Sequence, residues 1–74
     1  MSRYANLSGT SSIRTFELTP DSITVAFSDG THYLYTVASA GRQNISNMHV
    51  LAQAGRGLNS FITKHVNKLY AKKW

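Results

Sequence analysis

Tyr33 and Tyr35 stand two residues apart in the stretch Ser22 to Val37, which reads as a strand, a tight turn and a second strand. Aromatic side chains at that spacing share one face of a pleated strand and can stack successive nucleobases, with neighbouring lysines on phosphate. The same pair also fits plain packing on a half-buried pleated surface. A second chemistry-bearing set is cationic: Arg56, Lys64, Lys68, Lys72 and Lys73, together with Arg42. Residues 42–74 hold six Lys and Arg and no acid, whereas residues 1–41 hold two Arg against Glu17, Asp21 and Asp29, so the formal charge of +5 belongs to the second half. Such a one-sign surface attracts phosphate polymers, acidic protein patches or anionic lipid. A merely solubilising face usually mixes signs.

Other chemistries find no footing. His32, His49 and His65 lack metal-ligand spacing and there is no Cys, so structural histidines are expected rather than a metal site. The three acids form no acid-base pair, no Ser stands in a Gly-x-Ser-x-Gly turn, and Gly55-Arg56-Gly57 lacks the length and the following Lys of a phosphate loop. No enzymatic activity and no cofactor are expected. Without an apolar run of signal-peptide or membrane-span length, the expectation is a soluble, cytoplasmic protein that makes no membrane contact. The amphipathic C-terminal segment ending in Trp74 suits a membrane surface, but its apolar stripe is needed for the single core that 74 residues can build.

The elements that position these residues follow from periodicity. Residues 1–10 have no usable period and read as a flexible arm ahead of one domain, residues 11–74. From Ser11 to Leu18, Arg14, Phe16 and Leu18 fall on one side and Ile13, Thr15 and Glu17 on the other. Thr19-Pro20-Asp21-Ser22 makes a turn, setting Leu18 opposite Ile23 and Phe16 opposite Val25. Two registers are open for the next hairpin. A two-residue Asp29-Gly30 loop pairs Val25 with Leu34 and leaves both tyrosines exposed, whereas a three-residue Ser28-Asp29-Gly30 loop pairs Val25 with Tyr33 and Ile23 with Tyr35, placing them in the core. The more apolar face favours the longer loop. After Val37 the period becomes helical: Ile45, Met48, Leu51 and Ala52 mark a helix within residues 39–54, closed by Gly55. A second helix, capped by Asn59 or Ser60, carries Leu58, Phe61, Ile62, His65, Val66 and Leu69 as its apolar stripe, with Lys64, Lys68 and Lys72 along its flank. The fold class is therefore α+β, a three-stranded antiparallel meander followed by two helices packed on one face.

Ser11-Ser12-Ile13, Val25-Ala26-Phe27 with Gly30 after it, Tyr33-Leu34-Tyr35, Val37, and then Ala52, Gly55, Asn59 and Ile62 together resemble the KTSC domain family, named after the C-terminus of some lysyl-tRNA synthetases. The resemblance covers residues 11 to about 70, with a central Tyr-x-Tyr motif matched by Tyr33 and Tyr35. Ala38 stands where members often have Pro, and the segment from Val37 to Gly55 is a few residues longer. The resemblance implies a small bacterial or phage-borne module that binds RNA. The charge pattern supports nucleic-acid binding through Arg56, Lys64, Lys68, Lys72 and Lys73. The alternative is a protein-interaction module that meets an acidic partner surface or pairs through a sheet edge, as a monomer or weak homodimer.

Overall fold

Alternating apolar residues put an antiparallel sheet at the centre of the computed structural model, which describes residues 2–7, 9 and 11–74. Its five strands lie side by side in chain order: β1 (Ser2–Arg3), β2 (Ile13–Thr19), β3 (Ser22–Phe27), β4 (His32–Thr36) and β5 (Lys72–Lys73). Leu18 pairs with Ile23 and Phe16 with Val25. Across the second hairpin Val25 pairs with Tyr33 and Ile23 with Tyr35, so the loop has three residues. The Phe27 N–H donates to the Thr31 carbonyl at 2.8 Å and the Gly30 N–H to the Phe27 carbonyl at 3.0 Å, closing it. Both tyrosines thus face the core side, where Ile23, Val25 and Tyr35 are buried with Phe16, Ile45, Met48, Leu58 and Val66.

Three helical segments cover that side. Thr36 caps α1 (Val37–Ala40): its hydroxyl accepts from the Ser39 N–H at 3.1 Å, and the Ser39 hydroxyl accepts from the Thr36 N–H at 3.0 Å. The chain then breaks at Gly41, whose φ of 92° and ψ of 149° lie where only glycine is comfortable. It resumes as α2 (Arg42–Ala54), burying Ile45, Met48 and Ala52 and ending on a left-handed Gly55. The third, α3 (Leu58–Phe61), runs into a π-helical turn, Ile62–Val66. That wider turn keeps residues four apart on one face, so Leu58, Ile62 and Val66 are all buried.

Several expectations need correction. The sheet has five strands rather than three, because both ends of the chain add an edge strand. Residues 2–7 are not a loose arm: Ser2 pairs with Phe16 and Arg3 with Thr15. Tyr4 is buried in the core, with its ring edge-on to Phe16. Its hydroxyl accepts the Leu58 N–H at 3.3 Å, satisfying a donor at the start of α3. Ile13, assigned by alternation to the outer face, is buried because a bulge between Ile13 and Thr15 shifts the parity and sets it opposite Phe27. The helix expected within residues 39–54 is two segments split by Gly41. The second helix begins at Leu58, with Gly57 before it, so Asn59 and Ser60 are internal rather than caps. It also stops at Val66, leaving Leu69 exposed, and the Leu69 N–H turns back to the Val66 carbonyl at 2.6 Å. This stop lets Tyr70 enter the aromatic cluster and β5 join the sheet. Lys64, Lys68 and Lys72 therefore do not step along one helical flank.

Candidate functional site

In β5 the register with β4 pairs Tyr33 with Lys73 and Leu34 with Lys72. Paired residues share a face and neighbours alternate, so Lys73 lies on the helix side with Tyr33, and Lys72 and Trp74 lie on the opposite side with Leu34 and His32. The side chains follow that geometry. The Lys73 ammonium stands 5.4 Å from the Tyr33 ring centroid, and the Lys72 ammonium 5.5 Å from that of Trp74. Trp74 stacks on His32 with centroids 5.4 Å apart and planes 9° apart. Two backbone hydrogen bonds clamp this pair: the His32 N–H donates to the Trp74 carbonyl at 2.8 Å, and the Trp74 N–H to the His32 carbonyl at 2.9 Å.

On the helix side the aromatic residues form one continuous group. Tyr33 meets Phe27 edge-on at 5.3 Å and Tyr70 at 5.2 Å, and lies nearly parallel to Tyr35 at 6.3 Å. Tyr35 is only 1% exposed, so base stacking on both tyrosines is closed off; Tyr33 is half-buried and lines a cleft. Burial, with Tyr33 and Tyr70 alongside, pushes the Tyr35 hydroxyl up to about 12, so it remains a neutral donor at physiological pH. The cleft, of about 280 Å³, separates the tyrosine wall from α3 and the π-helical turn. Asp29, an exposed residue, is part of its lining. The Thr31 backbone N–H, 2.9 Å from Asp29 Oδ1, and the Thr31 hydroxyl hold that carboxyl below the usual range, with a smaller contribution from Lys73.

Of the cations singled out from sequence, the structure brings Lys72 and Lys73 together with aromatic rings. Lys64 and Lys68 are exposed and follow directly after Thr63 and Asn67, which line the cleft. Arg56 sits apart, in a joint whose Gly55 abuts Ala5 and Leu7. Arg42 lies 3.6 Å from Asp21 with both side chains largely in water, a pair worth little. His49 Nε2 is 2.9 Å from the Ser22 carbonyl and His65 lies on the Phe61 ring. Among the described residues no group of His and acids could hold a metal ion.

Sequence reasoning missed Trp74 as the partner of Lys72, His32 as the ring beneath Trp74, and Tyr70 as a neighbour of Tyr33 and Tyr35. It also missed the row Asn59, Thr63 and Asn67, although that spacing of four was a readable sign of a common helix face. Comparison with protein-family models, curated proteins and solved structures finds no match to this chain. Among the described residues no helix is long and apolar enough to cross a membrane.

Proposed function

We propose that this protein is a small nucleic-acid-binding module that prefers single-stranded RNA, with kinship to the KTSC family as part of the same proposal. One observation carries it: β5 sends Lys72 and Lys73 to opposite sides of a sheet edge, each ammonium over an aromatic ring. An extended phosphate backbone laid along this edge meets both lysines, with bases turned towards Trp74 on one side and Tyr33 on the other. Moving a lysine from its ring to a phosphate costs about 0.5–1 kcal/mol at an exposed site. Base–aromatic stacking returns about 1–3 kcal/mol per base, so the exchange is favourable. Lys64, on the π-helical turn, and Lys68, just beyond it, are exposed and add positive charge, as does Arg56.

The edge strands β1 and β5 are two residues long and carry Arg3, Lys72 and Lys73, which disfavours self-pairing through them. To test the function, affinity for single-stranded and structured RNA is measured across a salt series. Each phosphate neutralised on a single strand contributes about −0.7 to the salt slope, so replacing Lys72 and Lys73 by Ala should flatten it by about 1.4. Absence of binding at low salt, or a slope unchanged by the double substitution, refutes the proposal. Recovery of one stoichiometric acidic protein after nuclease treatment points instead to the protein-interaction alternative.

A further inference from the structure

The cleft beside Tyr33 has two walls of unlike chemistry. The strand wall presents the rings of Phe27, Tyr33 and Tyr35. The other wall presents Asn59 from α3, Thr63 from the π-helical turn and Asn67 from the residue that ends it, at a spacing of four. Thr63 donates to the Asn59 carbonyl at 3.1 Å, leaving its oxygen able to accept. No hydrogen bond is formed by the side-chain amides of Asn59 and Asn67 among the described residues. Each amide offers donors and an acceptor side by side, the complement of a nucleobase edge.

Size and charge narrow the occupant. About 280 Å³ lies just below the range of roughly 300–1,000 Å³ for drug-sized ligands, so the space suits one ring system. Asp29 is the one acid among the cleft residues, and it is exposed. A phosphate drawn inward would meet that carboxylate, whereas a phosphate left outside comes under the charge of Lys73, which already acts on Asp29. A neutral planar ring inside, with its phosphate outside, satisfies both.

We infer that this cleft takes a single nucleobase, stacked against Tyr33 and read on its edge by Asn59, Thr63 and Asn67, with the attached phosphate on Lys73. The inference deepens the nucleic-acid reading and rests on it where the base belongs to a strand; a free nucleotide offers the same chemistry. Three sets of probes separate these cases: the four ribonucleoside 5′-monophosphates against ribose 5-phosphate; a short single-stranded oligoribonucleotide against its abasic counterpart; and glucose as a neutral sugar. Binding is followed by the amide resonances of Tyr33, Thr63 and Asn67, and by oligonucleotide affinity at low salt.

The decisive variant is Thr63→Leu, which fills the cleft from an exposed position without changing charge. Saturable shifts with at least one monophosphate and none with ribose 5-phosphate or glucose are expected, along with roughly tenfold weaker oligonucleotide binding by the variant. The abasic strand should bind wild type and variant alike. Equal affinity of both proteins for the intact strand, or equal affinity of wild type for intact and abasic strands, overturns the base pocket while leaving the phosphate-binding edge standing. Monophosphate binding without strand binding supports the pocket and removes the RNA function. Shifts with glucose instead, or with no probe at all, overturn the pocket.

Discussion

Raising the pH through the ionisation of Tyr35 should destabilise this protein in a calculable way. The phenol is held at about 12 against an ordinary 10.0, chiefly by burial. Because the folded value is raised, the native state keeps a proton that the unfolded chain has released. The contribution is therefore complete below about pH 10 and is lost as pH rises through about 12. At about 1.36 kcal/mol per pH unit the full difference is about 2.7 kcal/mol. Tyr35 lines an open cleft, so solvent screening reduces the expected loss to about 1–1.5 kcal/mol. Urea unfolding followed by circular dichroism between about pH 9 and about pH 12 measures it, with Tyr35→Phe as the comparison. The two proteins differ only in the Tyr35 hydroxyl, so the difference between the two pH profiles isolates it. The Phe variant should lose less stability over that interval, by the amount above. Parallel profiles would refute the argument that burial holds the Tyr35 proton in place.

Two further outcomes test the scaffold. Gly55→Ala forces Ala into left-handed backbone at φ 78°, at about 1–2 kcal/mol, and sets its Cβ 2.6 Å from the Ala5 Cβ. Equilibrium denaturation should show a loss above that backbone cost, partly restored by Ala5→Gly in the same chain. Thr36→Val deletes the hydroxyl that caps α1 and should cost about 1 kcal/mol in the same assay, with the sheet signal retained.

What could be read from the sequence was the part governed by alternation and by glycine. The pairing of Phe16 with Val25, and of Val25 with Tyr33, follows from the need to collect apolar residues on one face. The end of α2 follows from Gly55. The edges were illegible for a physical reason: two-residue strands have no period, and backbone pairing to a neighbour holds them, as with Ser2 opposite Phe16 and Lys73 opposite Tyr33. The bulge at Arg14 was equally silent, since inserting one residue leaves no compositional trace, yet it brings Ile13 into the core. The lysines misled because Lys64, Lys68 and Lys72 repeat at a helical interval in a segment that stays helical only to Val66. Tertiary demand, the fit of Tyr70 against Tyr33 and Tyr35, overrides that interval.

The loop between β3 and β4 makes the duty of every β4 side chain a matter of counting. With three residues between Phe27 and Thr31, the tyrosines meet the helices, while His32, Leu34 and Thr36 take the other side. Dropping one residue would exchange the two sets together. Point changes at this turn leave the alternation of β4 intact, whereas the gain or loss of a single residue would turn the buried side chains outward along the whole strand. At that turn, length governs the strand more than residue identity does.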